Sequence, residues 1–352
     1  MKWLIYGAYG YSGRLIALEA KKRGLTPVLA GRNLQQLQTV AAETQFEIRA
    51  FDLNDATTLD KNLHDIELVL HCAGPFSATS APMLDACLRN RCHYLDITGE
   101  MDVFEHCHSA AIAQRAKAAG VVVCPGVGFD VIPTDCIAAA LKKALPDASH
   151  LSLGFASKSG FSPGTAKTSV EGMAKGLHVR IAGKIQRVAP RSRMIDFGEG
   201  ERLAAAIGWG DVSTAYHSTG ITNVDVYIPA SPSMVKKMRT MARLRWLIAI
   251  PFVQNYLKKQ VGKRIKGPDE AARAKSPTLV WGEASNAKGE KRIARVKTAN
   301  GYDVTISGSL AVVEFLAREG DHLAGSYTPS KLIGENLVSQ LPGSGTIEIS
   351  AT

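Results

Sequence analysis

The 352-residue chain lacks any run approaching the ~20 consecutive apolar residues of a membrane-spanning helix, so no spanning segment is expected. It also has no C-x-x-C pair and no zinc-ligand spacing. Its six cysteines (Cys72, Cys87, Cys92, Cys107, Cys124 and Cys136) all fall in the first 136 residues, mostly inside apolar stretches. That usage predicts reduced, buried thiols in a cytoplasmic protein, and early glycines break any secretory h-region. There is no nucleophile elbow, triad order or metal box. Side chains at successive helical positions diverge, so the His106-Cys107-His108 run does not read as a metal site. Finally, residues 235–266 contain no acid but ten basic residues, a number equal to the whole formal net charge of +10.

What is present is a short apolar strand, Trp3-Leu4-Ile5-Tyr6, running into Gly7, Gly10 and Gly13. The spacing is G-x-x-G-x-x-G, a variant of the dinucleotide fingerprint. One glycine permits the turn, the next lets the backbone approach a pyrophosphate, and the third lets the helix pack on the sheet. Unpaired N–H groups of the first helical turn then face the phosphates. The cofactor-binding residues expected here are Gly7, Tyr9, Gly10, Tyr11, Ser12 and Gly13.

A second strand ends at Gly31-Arg32-Asn33. Where an NAD site carries an acid for the ribose hydroxyl, this chain has Arg32, whose guanidinium suits a 2′-phosphate. NADP is therefore the expected cofactor. Asp52, ending the third strand, suits either an adenine amino group or a turn cap. The fourth strand ends in Cys72-Ala73-Gly74-Pro75, small residues placed where open α/β sheets bind ligands. Strands and helices alternate through residue 124, with one helix expected over residues 102–119. This predicts an α/β fold with a Rossmann-type doubly wound parallel sheet. From residue 151 onward strands and hairpins dominate. They predict a second α+β domain on a mixed or antiparallel sheet, with a hairpin at residues 278–296. Further helices are expected at 310–317 and 329–341.

Proton-transfer candidates are the polar residues at strand ends: Tyr94, Asp96, Glu100 and Asp130. A helix cap or a backbone-bonded carboxylate is the competing role for each, and Asp130 stands just before Pro133-Thr134, where helix capping competes. In the second domain, Thr165 and Lys167 sit at the start of an expected helix, which either holds an anionic substrate group or is an ordinary capped helix. The stretch from Trp209 through Tyr216 and His217 reads as a polar loop, either lining the substrate site or packing.

The motifs GAYGYSG, AGRN, HCAGPF, HYLDITGE and GVGFDVIPTD together resemble the saccharopine dehydrogenase-like family of NADP-binding oxidoreductases. SPGTAKT, WGDVSTAYHSTGI and YTPSKLIGENLV extend the resemblance toward a bacterial branch. The family includes saccharopine reductases and trans-acting enoyl reductases. The resemblance implies hydride transfer to or from an imine, an amino-acid conjugate or an enoyl lipid, or else a nucleotide-binding scaffold without turnover. It also implies a nucleotide domain, residues 1–133, onto which residues 328–352 pack back. The intervening residues 134–327 would form a substrate and dimerisation domain, making a homodimer an expectation.

The basic segment, with Arg239, Arg243, Arg245, Lys258 and Lys259 around Trp246, suits an anionic membrane surface, an acidic carrier protein, or a solvated helical pair packed on the second domain. No aromatic-interleaved platform accompanies the charge, so nucleic acid is not an expected partner.

Overall fold

In the computed structural model, residues 1–157, 172, 175–248, 250, 252–253, 273 and 276–351 are described. The chain opens with β1 (Trp3–Tyr6), α1 (Tyr11–Lys22), β2 (Val28–Gly31), α2 (Leu34–Thr44), β3 (Ile48–Ala50) and α3 (Ala56–Leu63). There follow β4 (Leu68–His71), α4 (Phe76–Arg89), β5 (His93–Asp96), α5 (Met101–Cys107), α6 (Ala110–Ala119) and β6 (Val122–Cys124). After α7 (Ile132–Ala144) the chain changes character. It runs through β7 (His150–Ser157), β8 (His178–Ile181), β9 (Lys184–Arg187), β10 (Ser192–Asp196) and β11 (Glu201–Ile207). Next come α8 (Asp211–Thr219), β12 (Asn223–Pro229), α9 (Pro232–Ile248), β13 (Thr278–Ser285) and β14 (Lys291–Thr298). The chain closes with α10 (Gly301–Glu319), β15 (Gly325–Ser326), α11 (Pro329–Ile333), α12 (Leu337–Gln340) and β16 (Glu348–Ala351).

Two compact units result. The first comprises Met1–Ile132 and Tyr302–Ile333, the second Pro133–Gly301 and Gly334–Thr352. The expected boundaries are corrected at both returns. Residues 302–327, assigned by sequence to the second domain, belong to the first unit. There α10 side chains satisfy backbone groups of the loop after β6: Phe129 N–H donates to Thr305 Oγ1 at 3.1 Å and Ser309 Oγ to the Val127 carbonyl at 3.2 Å. Residues 334–352, expected with the nucleotide unit, are not part of it. They belong to the second, where β16 pairs antiparallel with β14, Ile293 opposite Ser350.

The first unit is the expected parallel sheet, in the order β3-β2-β1-β4-β5-β6-β15. β1, β2 and β4 are buried along their whole length, which is why they read as continuous apolar runs rather than alternating ones. The strand order reverses between β1 and β4, placing a ligand crevice at their carboxyl ends.

The second unit is a mixed sheet. β12 runs parallel to β7, while the pairs β10–β11, β11–β12, β7–β13 and β13–β14 are antiparallel. The expected hairpin is full length, with Thr278 opposite Thr298 and Ser285 opposite Lys291. Trp281, Tyr227 and Phe197 anchor a core on one face. On the other, the missing Cβ of Gly282 would meet Ile137 and Leu141 of α7 at 2.5 and 2.8 Å.

Three local expectations are corrected. The single helix over residues 102–119 is two, broken where Ser109 caps α6 and His108 Nδ1 meets Ser326 Oγ at 2.8 Å. The expected terminal helix is likewise two short ones, α11 and α12, with Gly334 between them at φ +120°. The WGDVSTAYHS stretch is no loop: from Asp211 onward it forms α8, which ends at Thr219 and is closed by Gly220 in the left-handed conformation.

Candidate functional site

The crevice begins at Gly7. With φ at +85° it turns the chain so that the Gly7 and Ala8 N–H groups both donate to the Ala30 carbonyl, at 2.8 and 3.1 Å. A Cβ there would lie 2.9 Å from Ala73 Cβ and from the Cys72 carbonyl carbon, so the ends of β1 and β4 touch. Gly13 is equally constrained. Its Cβ would stand 2.3 Å from the Gly7 carbonyl oxygen, so only glycine lets α1 start this close to the turn. A Cβ on Gly10 would meet only the Gly7 oxygen, at 3.2 Å, leaving open space on its other sides.

The amino end of α1 carries no side-chain cap and no acidic residue in its first turn. An uncapped helix start beside a glycine turn is the arrangement that receives a pyrophosphate. Ser12 lies in this turn, and Tyr11 packs edge-on against Tyr302 of α10 with ring centroids 5.1 Å apart. Tyr9 turns toward the end of β2, where a Cβ on Gly31 would come within 2.6 Å of its ring.

Beyond Gly31, Arg32 is exposed and pairs with no carboxylate among the described residues. Asn33, expected to touch the cofactor, caps α2 by accepting from the Gln36 N–H at 3.0 Å. Asp52 is exposed and accepts from the Asn54 N–H at 3.0 Å, the turn-cap alternative. Burial pushes the Cys72 thiol up, so it stays protonated. Gly74 and Pro75 are exposed at the crevice and Ala73 is half-buried.

The four proton-transfer candidates separate sharply. Tyr94 is fully buried in the core, and its hydroxyl donates to Asp96 Oδ2 at 2.8 Å. Asp96 is also fully buried. Its Oδ1 accepts from the Thr98 and Gly126 N–H groups at 3.0 and 2.8 Å, and desolvation raises its pKa to about 6. The pair therefore fixes the loops after β5 and β6, and neither side chain is open to solvent. Glu100 is a cap: Oε1 accepts from the Phe76 N–H at 2.9 Å and Oε2 from the Ser77 N–H at 2.8 Å, at the start of α4. Asp130 is a half-buried carboxyl whose pKa desolvation raises to about 7. It lies against Gly99, whose Cβ would sit 2.7 Å from Asp130 Oδ2.

One group escaped sequence reasoning. His71 ends β4, fully buried, its Nε2 3.0 Å from Thr79 Oγ1, which in turn donates to the Ala73 carbonyl at 2.6 Å. Burial lowers its pKa to about 3, so the ring is neutral and helps hold the β4 loop. A histidine ending an apolar strand was the available signal.

Residues 3–124 match the family model described as the saccharopine dehydrogenase NADP binding domain. The likeness to that domain covers those residues of the first unit. Curated proteins similar to this NADP binding domain include a probable mitochondrial saccharopine dehydrogenase-like oxidoreductase of Arabidopsis thaliana, 32% identical over 148 residues. That match covers 38% of this chain and 32% of the plant protein. A trans-acting enoyl reductase of Mycobacterium leprae is 30% identical over 139 residues, covering 38% of this chain and 33% of that one. The matched stretch thus spans about a third of each relative.

Two solved structures share the fold over the whole chain. Saccharopine dehydrogenase (L-Glu forming) of Saccharomyces cerevisiae has a TM-score of 0.66 at 11% identity, covering 100% of this chain and 99% of that one. The homospermidine synthase of Legionella pneumophila has a TM-score of 0.66 at 9% identity, covering 100% and 91%. Around the NADP binding domain's own crevice, the glycine turn, the uncapped α1 and Arg32 all fit the nucleotide that names the family.

In the second unit, Thr165 and Lys167 lie outside the described residues. Trp209 packs on Phe155 with ring centroids 5.0 Å apart. Tyr216 lies beneath the buried Arg180 guanidinium, 4.3 Å from ring centroid to Cζ, and 5.5 Å from the His217 ring. Arg180 donates to the Val212 and Gly183 carbonyls, both at 2.8 Å, which anchors α8. Lys258 and Lys259, and the side chains of Arg245 and Trp246, lie outside the described residues. Among the described residues no group of three or more His, Cys, Asp or Glu could hold a metal, and no helix is long and apolar enough to cross a membrane.

Proposed function

We propose that the protein is an NADP-dependent oxidoreductase that moves a hydride to or from an imine or amino-acid-type substrate. The observation that carries the NADP preference is Arg32, exposed and unneutralised at the end of β2, where a carboxylate would repel a 2′-phosphate. The substrate class rests on the names of the similar dehydrogenase-like proteins. When bound, the nucleotide supplies or accepts the hydride. The chain's own part is to cradle the pyrophosphate at Gly7, Gly10 and α1, and to exchange the accompanying proton at Asp130. A carboxyl near pH 7 is suited to that exchange. The six free cysteines, five of them buried, fit a reducing cytoplasm.

Two further readings have specific support. Similarity to the mycobacterial trans-acting enoyl reductase favours an acyl substrate. A nucleotide-binding scaffold without turnover is favoured by the engagement of Tyr94, Asp96 and Glu100 in structural bonds.

The test titrates NADPH and NADH against the wild type and Arg32→Asp, then follows NADPH absorbance with imine-forming and enoyl substrates. Wild type should prefer NADPH, and the variant should lose NADPH affinity far more than NADH affinity. Equal losses would remove the NADP assignment. Oxidation of NADPH only with enoyl thioesters selects the second reading, and binding without oxidation by any substrate selects the scaffold.

A further inference from the structure

We propose that the exposed side of α9 rests on a bilayer carrying anionic headgroups. The helix has no carboxylate between Pro232 and Ile248, and it carries Lys236, Lys237, Arg239 and Arg243 exposed. None of the four makes an ion pair with a described residue. Cations held this close repel one another, and an anionic surface relieves that cost.

The pattern of exposure gives the helix two sides. Val235 is buried, and Met238 and Ala242, three and four residues further on in turn, are half-covered, marking the inward line. Lys236, Lys237, Thr240 and Arg243 lie on the other side, open to water. Along the boundary Met234 and Met241 are 39% and 37% exposed, and just past the helix Ile250 and Phe252 are 41% and 79% exposed.

Cations beside exposed apolar side chains match an interface in which headgroup charge overlies the acyl boundary. A purely electrostatic partner would leave the methionines and Phe252 in water. Since no described helix can cross a bilayer, α9 lies along the surface. The association is independent of the nucleotide site and of any turnover.

The experiment is co-sedimentation of the full chain with vesicles of phosphatidylcholine alone and of equal parts phosphatidylcholine and phosphatidylglycerol. The protein should pellet with the anionic vesicles and stay in solution with the neutral ones. Raising salt to about 1 M, where the Debye length falls to about 3 Å, should release most of it. Combined Lys236→Gln, Lys237→Gln, Arg239→Gln and Arg243→Gln should lower partitioning by roughly fivefold per cation. An unchanged thermal melt shows that the variant is folded. Should it melt early, the pair Lys237→Gln and Arg243→Gln carries the same test, with about a twenty-five-fold loss. Met241→Ser with Phe252→Ser should weaken binding in high salt more than in low salt. Absence of binding to anionic vesicles, equal binding to both kinds, or unchanged binding by the glutamine variants overturns the proposal. So does capture on immobilised polyglutamate without vesicle binding, which would point to an acidic protein instead.

Discussion

Glu100 and Phe76 stand 24 residues apart in sequence, yet the Glu100 carboxylate accepts the Phe76 backbone N–H at 2.9 Å and closes the amino end of α4. The bond ties the loop after β5 to the loop after β4. A carboxylate that sequence alone offers as an acid or base is thereby occupied as a helix cap, aided by the helix dipole.

Replacing that cap should be felt as lost stability. Glu100→Ala should cost about 1–2 kcal/mol in urea denaturation, and Glu100→Gln, which keeps one acceptor oxygen, roughly half of that. If Glu100→Ala leaves the midpoint unmoved while abolishing turnover, the group transfers protons instead.

Gly10 and Gly13 should respond differently to alanine. In Gly13→Ala the new Cβ meets Gly7 backbone at 2.3 Å, which cannot yield cheaply, so a loss of about 1–3 kcal/mol and of NADPH binding is expected. Gly10→Ala meets one oxygen at 3.2 Å and should remain nearly as stable as the wild type. Gly10→Val, reaching into the space for the pyrophosphate, should abolish NADPH binding in a folded protein. Thermal melts paired with NADPH titration check all three.

His71 predicts an acid-sensitive fold. Its pKa is about 3 in the folded chain, against 6.5 unfolded. The unfolded chain therefore takes up this proton first, and stability falls as pH drops from about 6.5 toward 3. Between pH 6.5 and 4.5 this single group should account for roughly 2–3 kcal/mol. His71→Asn should flatten that part of the stability profile; an unchanged slope would mean that the ring is protonated in the native state.

Asp130 predicts the opposite direction. Its folded pKa, about 7, lies above the unfolded value of 3.8, so its contribution is intact below about pH 4 and is lost as pH rises through 7. Asp130→Asn should gain stability relative to wild type at pH 8 and show no gain at pH 4. If Asp130 also exchanges the proton, the wild-type rate profile should carry an inflection near pH 7 that the variant lacks. A variant with full activity and no such inflection would leave Asp130 with the stability role alone.

The nucleotide half was legible in the sequence because its determinants are local. The G-x-x-G-x-x-G turn, the wholly buried strands and the alternation with helices are each complete within a few tens of residues. Strand burial on both faces writes itself as an apolar run, and the backbone demands of Gly7 and Gly13 leave no alternative residue. The hairpins also announce the second sheet, but the parallel β7–β12 pair that makes it mixed leaves no such local signal.

What tertiary structure decided were the pairings between distant segments. Tyr94 and Asp96, two residues apart, share one face of β5, and only the fold shows both buried, with Asp96 bound to the Gly126 loop. Glu100 became a cap because α4 begins beside it, and α8 is a helix because buried Arg180, from β8, ties down its first turn. Likewise α10 joins the first unit because its hydroxyls satisfy the backbone after β6, while the chain's last strand finds its ladder on β14. A hydroxyl or a carboxylate has the same sequence signature whether it meets substrate or a backbone N–H. The difference lies in which donor the fold brings within 3 Å, and periodicity carries no record of that.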